Sequence, residues 1–228
     1  MDAETAGTAL SSAGFVAAGS VFWLKYFLLK DALQPEPKKR LAQAFALGAC
    51  SVAIAWGGFQ AATALGMPAS PPEETGALAV YCLAVVGPVE EGAKFLVARA
   101  VCFRWKEFDE RIDGLVYAAA VALGFAAVEN FLFLPAMPWG EGLLRAIASP
   151  LTHSLFAAIW GLGSSRALLV PRSRLSRFLW QAVPLVLAMT LHGLYDIAAM
   201  NPDATLWSAV ISAALWALVI WKAGRLVR

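Results

Sequence analysis

The sequence predicts an all-α, polytopic transmembrane helical bundle of about seven spans, with the N-terminus outside and the C-terminus cytoplasmic, and three observations carry this reading. Of its 228 residues 60% are hydrophobic and 15% charged, with a mean hydropathy of +0.65. The apolar residues come in long runs instead of amphipathic stripes, as bilayer-crossing helices of roughly 20 residues require. All but Lys94 and Arg145 of the 18 basic residues lie at alternate connections or at the C-terminus. By the positive-inside rule those connections are cytoplasmic. The connections are short, roughly 5 to 12 residues, so residues 1–228 read as a single transmembrane helical domain without room for a soluble one. A net charge of +2 gives no sign of nucleic-acid binding.

Taken in order, the first span runs from about Leu10 to Leu29 and ends among Lys25, Lys30, Lys38, Lys39 and Arg40, around the helix-breaking Gln34-Pro35-Glu36-Pro37. No A-x-A pattern closes a short apolar core before it, so a removable signal peptide is not predicted. The second span, about Leu41 to Leu65, ends at the turn-rich stretch from Gly66 to Pro72. The third, about Ala77 to Ala100, carries Glu90, Glu91 and Lys94, with Pro88 expected to free a carbonyl and kink it. The fourth, about Ile112 to Leu134, contains Glu129 and Asn130, and Asp113 at its start reads as a helix cap. The fifth, about Leu143 to Val170, holds His153; the sixth, about Phe178 to Met200, holds His192 and Asp196; the seventh runs from about Leu206 to Trp221. Tryptophans 105, 139, 180, 207 and 221 sit near span ends, as an interfacial belt does. Cys50, Cys82 and Cys102 form no C-x-x-C and read as packing residues.

The polar residues inside these spans are the functional signal, because an ionisable group in hydrocarbon is costly unless paired or set against a water-filled cavity. At about 1.5 Å of rise per residue, Glu90 lies near the midplane, and Glu129, His153, His192 and Asp196 fall in the outer half of their spans. They can share one cavity open to the outer face. His192 and Asp196 stand at i and i+4 and project from one helix face, where the carboxylate can orient the imidazole or both can hold a metal. Glu90 and Lys94 have the same spacing, while Glu91 points about 100° away from Glu90. Each feature alone has a bland reading as an interhelical pair. Both histidines of the chain together with several carboxylates at compatible depth do not. Tyr117, Asn130 and Tyr195 read as interhelical hydrogen-bonding residues, and Arg145 as facing the outer headgroups.

At these positions the sequence resembles the PrsW family of intramembrane proteases, itself similar to the CAAX-prenyl endopeptidases and bacteriocin-processing enzymes. The resemblance rests on E-E-x-x-K at Glu90 to Lys94, F-x-x-x-E at Phe125 to Glu129, His153 in the next span, and H-x-x-x-D at His192 to Asp196. The stretch from Asp113 to Phe125 resembles the family too. A catalytic core of about residues 77–200 is expected. The resemblance implies an endopeptidase that cuts a membrane-anchored protein, such as an anti-sigma factor, in or near the outer half of a bacterial plasma membrane.

Two mechanisms stay open on the sequence. In one, Glu90 or Glu91 activates a water while His192, Lys94 and Asp196 support it and the developing oxyanion. In the other, His153, His192 and some of Glu129, Glu91 and Asp196 hold a Zn2+ ion, with Glu129 the first choice, and a glutamate acts as base, although no H-E-x-x-H is present. A proton- or ion-coupled transporter is the rival class, since intramembrane Glu, His and Asp also make proton relays. The paired broken helices of such transporters are not evident. A noncatalytic membrane binding protein is a third class, against which the complete motifs argue.

Overall fold

The computed structural model describes residues 3–29 and 35–226, and side chains from residue 14 to 225. Asp2, Lys30, Gln34 and Arg228 lie outside the described residues. Eight α-helices follow one another among the described residues: α1 Ala3–Leu28, α2 Lys38–Ala64, α3 Thr75–Tyr81, α4 Gly87–Ala100, α5 Asp113–Phe133, α6 Trp139–Leu169, α7 Arg174–Met200 and α8 Thr205–Leu226. No strand occurs among the described residues. Helices α3 and α4 are halves of one span, Thr75–Arg104, and with α2, α5, α6, α7 and α8 they make six helices long and apolar enough to cross a membrane. Helix α1, apolar over Gly14–Leu28, brings the bundle to seven.

Local chemistry sets the helix ends. Pro37 and Pro138 stand immediately before α2 and α6, where a fixed φ and a missing N–H cost nothing. Gly66 adopts φ 93° just after α2, a conformation that side chains disfavour. Glu74 accepts the N–H groups of Gly76 and Ala77 at the start of α3, and those bonds hold its carboxyl below the usual carboxylate range. Asp113 does not cap α5 as read from the sequence. As the first residue of that helix, it accepts the N–H groups of Asp109 and Glu110 and ties down the preceding loop.

Helix α5 is the axis of the bundle. It packs against α6, α2 and α1, and every residue from Asp113 to Ala126 is buried. A helix apolar all round belongs in the interior. Phe22, Leu132, Val183 and Leu206 are exposed instead on the perimeter, at 60, 63, 60 and 77%, and that apolar surface is what a bilayer solvates. Cys82 and Cys102 are buried, whereas Cys50 is exposed. The Tyr117 hydroxyl donates to Glu36 in the α1–α2 connection.

Between α3 and α4 the chain makes one wide π-helical turn, Cys82–Val86, closed by the Gly87 N–H on the Cys82 carbonyl. This turn accommodates Pro88, which has no N–H to donate. The expected break in the third span is therefore present as a wide turn ahead of the proline.

Candidate active site

Two glycines bring the chemistry together. A Cβ on Gly87 would lie 2.2 Å from the Met189 carbonyl oxygen, and one on Gly193 would lie 2.7 Å from that of Cys82. Only glycine permits this backbone-to-backbone crossing of α7 with the wide turn and the start of α4. Glu90 and Glu91 follow one of these glycines and His192 precedes the other, so the crossing sets both glutamates against the imidazole.

Glu91 is fully buried and completely partnered. Its Oε1 receives Lys94 Nζ at 2.7 Å and lies 3.0 Å from His192 Nδ1, while its Oε2 accepts the Trp160 indole N–H at 2.9 Å. Lys94 Nζ also lies 2.8 Å from His153 Nδ1 and 3.5 Å from Glu90 Oε2, above the Phe125 ring at 4.3 Å. On the other side of His153, Nε2 meets Glu129 Oε2 at 2.8 Å, and Glu129 Oε1 accepts from Arg145 Nη2 at 2.9 Å. His192 is stacked on Phe156 with ring centroids 4.9 Å apart, and its Nε2 stands 3.5 Å from Asp196 Oδ2.

Each histidine thus has one nitrogen held by a carboxylate, Glu91 for His192 and Glu129 for His153. The opposite nitrogens face Glu90 Oε2, at 3.8 Å from His192 Nε2 and 3.9 Å from His153 Nδ1. Glu90 Oε2 is buried and makes no hydrogen bond. An orphaned carboxylate oxygen between two imidazole nitrogens is a costly arrangement for protein alone. One ligand atom from each of Glu90, His153 and His192 lies within 4.8 Å of the others, a spacing that suits one shared partner, either a metal at about 2.0–2.2 Å from each or a water at about 2.8 Å. Two imidazoles and a carboxylate with the fourth position open form an accepted catalytic zinc set. By donor type the residues fit the ion.

All seven residues singled out from the sequence, Glu90, Glu91, Lys94, Glu129, His153, His192 and Asp196, meet here. Their distribution differs from expectation in one respect: Glu90 completes the group with the two histidines, and Glu129 holds the far nitrogen of His153. Arg145 pairs with Glu129 and donates to Asn130 Oδ1 at 3.2 Å instead of facing headgroups. Trp160 was not anticipated. Its signal was an indole N–H in mid-span, which must find an acceptor when buried.

Acid–base and metal-ligating side chains that converge from four helices inside an apolar bundle define a polytopic membrane enzyme working within the bilayer. Residues 36–222 match the family model described as PrsW family intramembrane metalloprotease. The chain belongs to that family, and its activity is that of an intramembrane endopeptidase. It is 35% identical over 187 residues to Protease PrsW of Geobacillus kaustophilus, covering 82% of this chain and 78% of the relative. To Protease PrsW of Bacillus subtilis it is 32% identical over 190 residues, covering 82% and 81%, and to that of Clostridioides difficile 31% over 143 residues, covering 60% and 58%. No solved structure matches the chain. The transporter reading is not favoured.

Proposed function

We propose that the chain cleaves a membrane-anchored protein near the outer half of a bacterial plasma membrane, with Glu90 as its central catalytic carboxylate and His153 and His192 as its partners. The observation that carries this reading is the buried Glu90 Oε2, which makes no hydrogen bond and faces one nitrogen of each imidazole. Held by Glu90, His153 and His192, a zinc ion would supply a lowered pKa for the attacking water and polarise the scissile carbonyl. Where no ion is bound, Glu90 Oε2 takes the proton that the attacking water gives up. Glu91 and Glu129 fix the ring orientations of His192 and His153, which keeps His192 Nε2 and His153 Nδ1 aimed at the reaction. Lys94 pairs with Glu91 and adds positive potential where the oxyanion forms. Without the ion, Asp196, beside His192 Nε2, stabilises that ring when it takes a proton. An anti-sigma factor, as the family resemblance suggests, is one such anchored substrate.

A second reading has support from one contact. Lys94 Nζ occupies His153 Nδ1 at 2.8 Å, the lone pair a metal needs, so a glutamate-activated water without metal is the competing mechanism. Metal content and cleavage of a membrane-anchored peptide, measured on chelator-washed protein with and without His153→Ala and His192→Ala, separate the two. About one zinc per chain, lost together with cleavage in either variant, is the expected outcome. Cleavage by metal-free protein would select the second reading. In both, Glu90→Gln lowers the rate by about 10²–10⁴-fold, and full activity of that variant would remove Glu90 from its assigned place.

A further inference from the structure

A second site lies at the opposite end of the bundle. Between α6, α7 and α8 a groove of about 220 Å³ is floored by Ile159, Leu162, Val183, Pro184 and Leu187 and closed at one end by Arg111, Arg166 and Lys222. The two kinds of lining are segregated along the membrane normal. From Ile159 to Arg166 on α6, and from Leu187 back to Trp180 on α7, the lining passes over about 10 Å from apolar to cationic. The cationic end is cytoplasmic by the positive-inside orientation.

The cations are built into this end. Arg166 lies over the Trp180 ring at 4.3 Å and Arg172 at 5.2 Å, and Arg172 Nε donates to the Arg166 carbonyl at 3.1 Å. Arg166 Nε is itself buried without a hydrogen-bond partner. Arg111, Arg166 and Lys222 form no ion pair with a carboxylate among the described residues. The groove is open toward the bilayer, because Val183 and Leu187 are 60 and 48% exposed on the outer flank of α7.

We propose that this groove is a binding site for an anionic phospholipid of the cytoplasmic leaflet, with the phosphate on Arg166, Lys222 and Arg111 and an acyl chain along Ile159, Leu162, Val183 and Leu187. Charge complementarity decides the occupant. Guanidinium groups match phosphate geometry, and basic pockets between spans on the cytoplasmic side suit lipid head groups. A soluble anion would leave the apolar floor uncovered, and a zwitterionic lipid would bring its own cation against the arginines. The site also bears on catalysis. The groove is formed largely by α6 and α7, which carry His153 and His192, so the bound lipid fixes the spacing of the two helices that hold the imidazoles.

The test is native mass spectrometry of the detergent-purified full chain titrated with phosphatidylglycerol or phosphatidylcholine, with Lys222→Gln and Arg166→Gln/Lys222→Gln compared with the unaltered protein. The expected result is at least tenfold tighter retention of phosphatidylglycerol, reduced several-fold by Lys222→Gln and abolished in the double variant, with phosphatidylcholine binding unchanged. Equal retention of the two lipids by the unaltered protein would overturn the proposal and requires no variant to fold. So would displacement of phosphatidylglycerol by millimolar inorganic phosphate, or an undiminished preference in Lys222→Gln. The readout is lipid binding, so it stands apart from any assignment of the peptidase residues.

Discussion

On the inner wall of the active site Glu91 and Lys94 have fully buried side chains, and both Glu91 oxygens and the Lys94 ammonium have protein partners within 3.0 Å. On the outer wall the side chains of Glu129, Asp196 and Arg145 remain 16, 14 and 30% exposed. Glu90 lies between them. Both walls are built from carboxylates and cations in contact, yet one is sealed inside the protein and the other is partly exposed. Where no water can replace a lost partner, a charged group is an element of stability. Where water can enter, the same group is free to orient a neighbour, and its removal affects chemistry more than folding.

Three substitutions sharpen this contrast. Lys94→Met leaves the Glu91 carboxylate buried without its counter-charge, and the expected loss is about 3–5 kcal/mol, read as a lowered thermal midpoint in detergent together with loss of cleavage. A midpoint equal to that of the unaltered protein would mean that Glu91 is neutral in the folded state. Trp160→Phe removes one donor from Glu91 Oε2, for an expected loss of about 1–3 kcal/mol by the same measurement. Arg145→Gln is the counterpart on the outer wall. Its expected stability change is below about 1 kcal/mol, while cleavage falls by about tenfold because Glu129 no longer fixes His153 as firmly. A thermal loss as large as that of Trp160→Phe would break the distinction between the walls.

Much of this arrangement was legible in the chain itself. Span positions follow from hydropathy, which accumulates residue by residue; α1 begins seven residues before the stretch read from sequence, and the other helix ends fall within five residues of theirs. Polar residues at matching depths were likewise readable, and all seven meet. The partner of each was not. Whether Glu90 or Glu129 completes the group with the histidines depends on the rotation of α4 about its axis, and the wide turn before Pro88 sets that rotation. The Trp160–Glu91 and Arg145–Glu129 contacts join residues 69 and 16 positions apart, through helix faces that the all-round apolar sequences of these spans leave undetermined.

The wide turn at Cys82–Val86 has one more consequence. A π-helical turn holds one residue more than an α-helical turn between the same flanking segments, so it stores a surplus residue without changing the direction in which the following helix faces. Were these same residues to wind as a regular α-helix, Glu90, Glu91 and Lys94 would swing by about 100° and advance by about 1.5 Å, away from both imidazoles. A chain one residue shorter within Cys82–Val86 would close the turn and keep the glutamates in place. The same deletion at Leu96 would throw the rest of α4 out of phase with its neighbours. The third span therefore has one position at which its length is negotiable, directly ahead of the residues whose orientation is not.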